Sequence, residues 1–294
     1  MSRLDFRRDG ADWPLKEASR FVEAGGLRWH VQELGVGPPA LLVHGTAGAT
    51  HSWRGLAPLL KRDFRLIAPD LPGHAFTTAK RRPDLSLQGM SRALAGLLET
   101  LAFAPRLVVG HSAGAAILAR LIAEEKLKPG LFVAINGAFL PFDGFAGRLF
   151  PFVARLLLAN PLASRLFALT ADRNAVAHML AGMGTKLDAR GLDLYARLMR
   201  SPAHCGGALE MMARWDLTRM PDDLARIACP TLLIVGAEDK AIKPADAAKV
   251  ARSMAKAKIV KLAGLGHLAH EEAPERVAQA IRAAAAEVGL VASA

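Results

Sequence analysis

A serine hydroxyl becomes a competent nucleophile only where a base can take its proton and donors can hold the charge its attack creates. One serine in this chain has neighbours of the right kind. The segment Val108-Val109-Gly110-His111-Ser112-Ala113-Gly114-Ala115 contains G-x-S-x-G, directly after an apolar run and directly before an Ala- and Leu-rich stretch. With a strand before it and a helix after it, the motif reads as a tight turn that lifts Ser112 Oγ above a sheet. Gly110 and Gly114 would remove the collisions such a turn creates. The helix N-terminus would add amide dipoles that favour developing negative charge. The competing reading is a glycine-rich turn with an ordinary N-capping serine.

The base should be a histidine on a late loop, preceded by an acid. Ile234-Val235-Gly236-Ala237-Glu238-Asp239 ends an apolar run with two carboxylates, and Ile259-Val260-Lys261-Leu262 leads into Gly264-Leu265-Gly266-His267. Asp239 and His267 therefore fall just past the ends of consecutive strands, the edge where α/β sheets build sites. Glu238 competes for the acid role, but Asp239 lies three residues past Gly236 at the strand exit. His270 competes for the base role, but Gly266 allows a sharp turn that presents His267, whereas His270 runs into Glu271-Glu272 and a helix. The oxyanion needs two amides. Ala113, next to the nucleophile, supplies one; Thr46 supplies the other from Leu41-Leu42-Val43-His44-Gly45-Thr46-Ala47-Gly48. Loss of one such donor raises the barrier by about 2.7–4 kcal/mol. His44 is expected to order this loop by hydrogen bonding. Asp70-Leu71-Pro72-Gly73-His74 has the residue types of a metal site, yet a Pro-Gly turn of this kind reads as structural. No metal or cofactor is expected.

These residues need a sheet to hold them. Apolar runs at Arg28–Leu34, Ala40–His44, Arg65–Pro69, Leu107–Gly110, Leu131–Asn136, Thr231–Gly236 and Lys258–Leu262 alternate with helical patterns. That alternation predicts a mostly parallel sheet with crossover helices. Helices are expected at Leu87–Leu101, after the N-cap candidate Ser86, and at Ala113–Glu125, Pro244–Met254 and Pro274–Val288. From Phe139 to about Asp223 the pattern is helical with Pro and Gly interruptions and no convincing strand. It reads as a helical cap (139–223) inserted into an α/β core (1–138 and 224–294), roofing an apolar pocket. Extra core helices with no role in binding are the alternative.

The chain has 294 residues, 52% hydrophobic and 22% charged, enough apolar material for a large buried core. Its net charge of +11 favours anionic partners, but no helix-turn-helix or aromatic-rich sheet motif accompanies it, so no nucleic-acid role is expected. The two cysteines, Cys205 and Cys229, form no metal or redox motif, and Cys229 reads as core; a reducing cytoplasmic setting fits. Met1 to Asp12 carries charges throughout and is not a secretory signal. No apolar run reaches a membrane span, and Phe145–Leu169, broken by arginines and prolines, is expected to lie against a membrane or cover a pocket rather than cross a bilayer.

Together, His44-Gly45-Thr46, Asp70-Leu71-Pro72-Gly73-His74, Gly110-His111-Ser112-Ala113-Gly114, Gly236-Ala237-Glu238-Asp239 and Gly266-His267 resemble the α/β-hydrolase superfamily, from about Phe21 to Val288. Ala75 stands where many members carry Gly. More narrowly, Glu17–Val22, Gly26–Gln32, His44–Arg54, Gly110–Arg120, Ile135–Phe142 and Gly264–Glu272 resemble its BchO type, described as a magnesium-chelatase accessory protein of bacteriochlorophyll biosynthesis. The superfamily resemblance implies a mostly parallel sheet flanked by helices with an inserted cap, and a serine hydrolase with Ser112, Asp239 and His267 as triad. Trp53 and His111 are expected to contact substrate. The narrower resemblance implies a tetrapyrrole pathway: an apolar substrate, such as a tetrapyrrole ester whose carboxylates could meet Arg148, Arg155, Arg165 or Arg197, or a non-catalytic role binding a tetrapyrrole or a magnesium-chelatase subunit. Perhydrolysis or C–C bond hydrolysis is a further possibility on such a fold. Serine at the elbow disfavours dehalogenase and epoxide hydrolase chemistry, which use a carboxylate there.

Overall fold

The central strands are almost wholly apolar because both of their faces are covered. In the computed structural model, which describes residues 3–141 and 171–292, β6 (Leu107–His111), β7 (Leu131–Ile135) and β8 (Thr231–Gly236) are buried at every position. Successive side chains alternate between two cores. Phe132 and Ala134 of β7 join Leu94, Ile117 and Leu121 on one face. Leu131, Val133 and Ile135 join Leu56, Leu60 and Ile281 on the other.

The other strands are β1 (Ser19–Ala24), β2 (Leu27–Leu34), β3 (Pro39–Val43), β4 (Arg65–Pro69), β5 (Thr78–Ala79) and β9 (Ala257–Leu262). The sheet order is β1-β2-β4-β3-β6-β7-β8-β9, with β5 paired to β2. From β4 to β9 every pairing is parallel; β2 runs antiparallel to β1, β4 and β5. The register sets Val43 beside Gly110 and Ile135 beside both His111 and Ile234, so the C-terminal ends of β3, β6, β7 and β8 form one edge.

The described helices are α1 (Phe6–Asp9), α2 (Leu56–Leu60), α3 (Leu87–Thr100), α4 (Ala113–Ala123), α5 (Arg173–Gly182), α6 (Ala189–Met199), α7 (Pro202–Ala213), α8 (Met220–Ala225), α9 (Asp246–Arg252), α10 (Ala269–Glu272) and α11 (Pro274–Glu287). Ser86 caps α3 by accepting from Gly89 N–H at 3.1 Å. Helices α5 to α8 occupy the described part of the stretch between β7 and β8, which contains no strand among the described residues. Asp188 and Ser201 cap α6 and α7 through their side chains. The last of these helices, α8, is fastened to α4 by Asp223 and Arg120 at 2.7 Å. The whole of Phe145–Leu169, with Arg148, Arg155 and Arg165, lies outside the described residues. No described helix is long and apolar enough to cross a membrane.

Candidate active site

Ser112 follows β6 and caps α4 with φ 51° and ψ −119°, a backbone conformation that side chains other than glycine's rarely adopt. The strain is held from both sides. Ser112 N–H donates to the Ile135 carbonyl at 3.0 Å, and the Ser112 carbonyl accepts from Ala115 and Ala138 N–H at 3.1 Å each. A Cβ at Gly110 would lie 2.5 Å from Ala115 Cα, and one at Gly114 would lie 2.2 Å from the Val43 carbonyl oxygen. Both positions exclude a side chain, so α4 can start directly against β3 and β6.

His267 lies on the loop after β9. Its Nδ1–H donates to Asp239 Oδ2 at 2.8 Å. With Nδ1 donating to a carboxylate, Nε2 is the free acceptor of the ring. Asp239, beyond β8, is oriented in turn: its Oδ1 accepts from Ala241 and Ile242 N–H at 2.8 Å each. Glu238 is exposed. His270 is fully buried, its ring 4.7 Å from Trp53 and 4.5 Å from His111, with neither nitrogen partnered. Burial pushes its pKa down to about 3.

Asn136, Glu272 and His111 each grip the His267 loop, and sequence patterns alone do not single out the first two. Asn136 Nδ2 donates to the carbonyls of Gly266 and His267 at 2.9 and 2.8 Å, and its Oδ1 accepts from Gly236 N–H at 2.8 Å. Glu272 accepts from Gly266 N–H at 3.0 Å, Thr185 Oγ1 at 3.2 Å and Lys186 N–H at 3.2 Å. His111 Nε2–H donates to the His267 carbonyl at 2.9 Å. A polar side chain at the end of a wholly apolar strand is the signal Asn136 offers. Gly266 serves close packing here rather than a turn: its φ is not positive, and a Cβ there would lie 2.2 Å from the Gly184 carbonyl oxygen. The left-handed residue of this loop is Gly264, with φ +75°.

The turn after β3 closes with Gly48 N–H donating to the Gly45 carbonyl at 3.1 Å. It approaches the elbow so closely that a Cβ at Gly45 would lie 2.9 Å from Ser112 Cβ. His44 orders it: Nε2 accepts from Leu71 N–H at 2.9 Å, which leaves the proton on Nδ1 to donate to the Gly45 carbonyl at 2.7 Å. His204 of α7 is an added support, with Nδ1 accepting from Ala75 N–H at 3.0 Å and Nε2–H donating to the Ala47 carbonyl at 3.2 Å. Ala75 holds φ +40° despite its Cβ. Asp70 is a structural anchor of the neighbouring turn. It is paired with His30 at 2.7 Å and accepts from Thr50 N–H at 2.7 Å. Burial favours its neutral form, but His30, His44 and the Thr50 amide outweigh that and hold it at about 2.

Ser112, His267, His111, Thr46 and Ala113 all line one cavity of about 960 Å³. Its other walls are mostly apolar, with Phe139 and Leu140 after β7, Met179 of α5, Met199 of α6, and Met212 and Trp215 at the end of α7. Cys205 also faces it; its thiol bonds the Met199 carbonyl at 2.9 Å and burial raises its pKa to about 12. Two expectations need correction. Trp53 is fully buried among Leu56, Leu60 and the α11 side chains and packs on His270, so its indole belongs to the core. Arg197 turns away from the cavity and pairs with Asp12 at 2.6 Å. Cys229 is half-buried and packs against the edge of the core.

A serine on a strained strand-to-helix turn, above the C-terminal edge of a mostly parallel sheet, defines the α/β-hydrolase class of fold. The family model described as "Alpha/beta hydrolase family" matches residues 40–280, and the chain belongs to that family. It is 36% identical over 275 residues to the magnesium-chelatase 30 kDa subunit of Rhodobacter capsulatus, covering 92% of this chain and 96% of the relative. That similarity bears out the BchO-type resemblance. It is 32% identical over 287 residues to the dihydrolipoyllysine-residue acetyltransferase component of an acetoin cleaving system from Pseudomonas putida, covering 92% of this chain and 70% of the relative. A solved α/β-hydrolase-fold protein from Burkholderia ambifaria superposes with a TM-score of 0.77 at 25% identity, covering 90% of this chain and 97% of that one.

Proposed function

We propose that the protein is an esterase-type serine hydrolase in which Ser112 is the nucleophile, His267 the base and Asp239 the acid behind it. Asp239 keeps His267 in the tautomer whose Nε2 accepts a proton. Ser112 Oγ attacks the carbonyl carbon of an ester as that proton moves to His267. The amides of Thr46 and Ala113 hold the tetrahedral oxyanion. The intermediate collapses to an acyl-enzyme as His267 returns the proton to the departing alcohol. Water then attacks the acyl carbon, again through His267, and frees the acid and the serine. The observation that carries this reading is the strained backbone of Ser112, with φ 51°, on the wall of the cavity that His267 also lines. Strain of this kind clusters at functional sites.

The helices between β7 and β8 act in this reading as a cap (139–223) over the acyl pocket. The apolar walls favour a bulky apolar substrate, and similarity to a magnesium-chelatase subunit favours a tetrapyrrole ester, handled in the cytoplasm during bacteriochlorophyll synthesis. Hydrolysis of p-nitrophenyl esters of increasing acyl length tests the reaction. Turnover should rise with chain length up to the limit of the cavity and fall at least about 10³-fold in Ser112→Ala. Equal rates in the variant and the native protein would overturn it.

The same similarity favours a second reading, a non-catalytic accessory role with a magnesium-chelatase subunit as partner. Ser112→Ala separates the two. Normal magnesium insertion into protoporphyrin by the variant, in an assay that depends on the native protein, supports the accessory role; loss of insertion supports catalysis.

A further inference from the structure

Helix α6 lies between two concavities. Tyr195 and Met199 face the large cavity. Arg190, Asp193 and Arg197 face a separate cleft of about 440 Å³, closed on its far side by Arg3, Arg8 and Asp9 and at the helix end by Arg200. We propose that this cleft binds a small ligand carrying two or more anionic groups of the phosphate or carboxylate type, and that the ligand ties the N-terminal segment to the outer face of α6.

The charge distribution is the first support. Arg8 pairs with Asp9 at 2.9 Å, Arg190 and Arg197 share Asp12 at 2.7 and 2.6 Å, and Asp193 is taken by Arg173 at 2.6 Å. Counting Arg3 and Arg200 of the lining and Arg173 beside Asp193, six guanidinium groups meet three carboxylates. Hydrogen bonds from Arg197 and Arg190 hold the Asp12 carboxyl far below its ordinary range, and the bond from Arg8 lowers that of Asp9. These acids are fully ionised at neutral pH, and the positive surplus remains. Among the described residues, neither Arg3 nor Arg200 has a carboxylate partner, and Arg200 Nε donates to the Ala171 carbonyl at 3.1 Å.

The second support is the kind of cation. All five basic residues lining the cleft are Arg. Guanidinium forks match the two oxygens of a carboxylate or phosphate, whereas an ammonium acts as a point charge. The third is shape. The cleft is concave and its volume lies in the range of small-molecule pockets, which favours a compact ligand over a flat lipid surface. It also joins segments about 180 residues apart, Arg8 and Arg190 among them, so a ligand bridging them would oppose separation of the N-terminal segment from α6.

The test uses the full chain, with titration calorimetry of inorganic pyrophosphate and of citrate at low ionic strength, and thermal melts with each. Saturable one-to-one binding of at least one anion and a raised Tm are expected. In the double variant Arg3→Gln/Arg200→Gln, which breaks no ion pair described above but loses the Arg200–Ala171 bond, the unliganded Tm should fall by at most a few degrees and the affinity should drop about tenfold or more. Which anion binds more tightly distinguishes phosphate from carboxylate recognition. Absence of saturable binding, equal affinity in the double variant, or binding only to anionic phosphatidylglycerol vesicles would each overturn the proposal. None of these results depends on whether Ser112 is a nucleophile.

Discussion

Asn136 makes the most informative single contribution to the geometry of the site. Its side chain ties the exit of β7 to that of β8 and to the backbone of His267, so one amide sets the distance between the loop carrying His267 and the strands that lead to Ser112 and Asp239. It touches no reacting atom in the mechanism proposed above and acts through His267. Misplacement of a catalytic group by about 1 Å can lower a rate about 10²-fold. Asn136→Ala should therefore reduce kcat for an aryl ester about 10- to 100-fold with a much smaller change in KM, in a protein that still melts cooperatively. Stopped assays over a range of substrate concentration check this. An unchanged kcat would mean that the loop needs no such tie.

Between elements, the contact to probe is the one joining α6 to the core. Glu271, fully buried in α10, accepts from Tyr195 Oη at 2.7 Å and pairs with Arg54. Burial favours its neutral form more than Arg54 and Tyr195 favour the anion, and its pKa rises to about 7. An acid raised in the folded state loses its proton first from the unfolded chain. Glu271 therefore withdraws stability as pH rises from the ordinary 4.5 through about 7. Glu271→Gln should remove that component, so the difference in Tm between variant and native protein should shift in favour of the variant over this interval. A pH-independent difference would contradict the assignment. The elements of the fold were unequally legible in the sequence. Seven strands announce themselves as apolar runs, β9 among them although it is buried only at Leu262, and G-x-S-x-G, Asp239 and His267 stand at their ends. Strand β1, half-exposed along SRFVEA, and β5, two residues long, carry no comparable pattern. Trp53 has the residue type of a ligand contact, yet only its packing reveals a core position. The ties from Asn136 and Glu272 join segments 130 and 87 residues apart, which no local pattern encodes.

Across the molecule, buried imidazoles set the response to acid. Burial lowers the pKa of His44, His51, His74 and His111, and takes His204 and His270 to about 4 and about 3. A base depressed in the folded state is protonated first in the unfolded chain. Their stabilising effect is full above the ordinary 6.5 and is lost as pH falls below it. Six such groups outweigh the opposite effect of Glu271, so the native Tm should drop steadily below about pH 6.5, as calorimetric melts across that range would register. A Tm that rises on acidification would contradict the buried, neutral assignment. The sheet edge, the imidazole supports and the helices between β7 and β8 converge on one hydroxyl, whose reactivity is the central claim. A fluorophosphonate, which reacts with activated serines, should add covalently to one site in the intact native protein, with the mass shift on the peptide containing Ser112, and should leave Ser112→Ala unmodified. A folded native protein that stays unlabelled, or a label on another residue, would contradict the account.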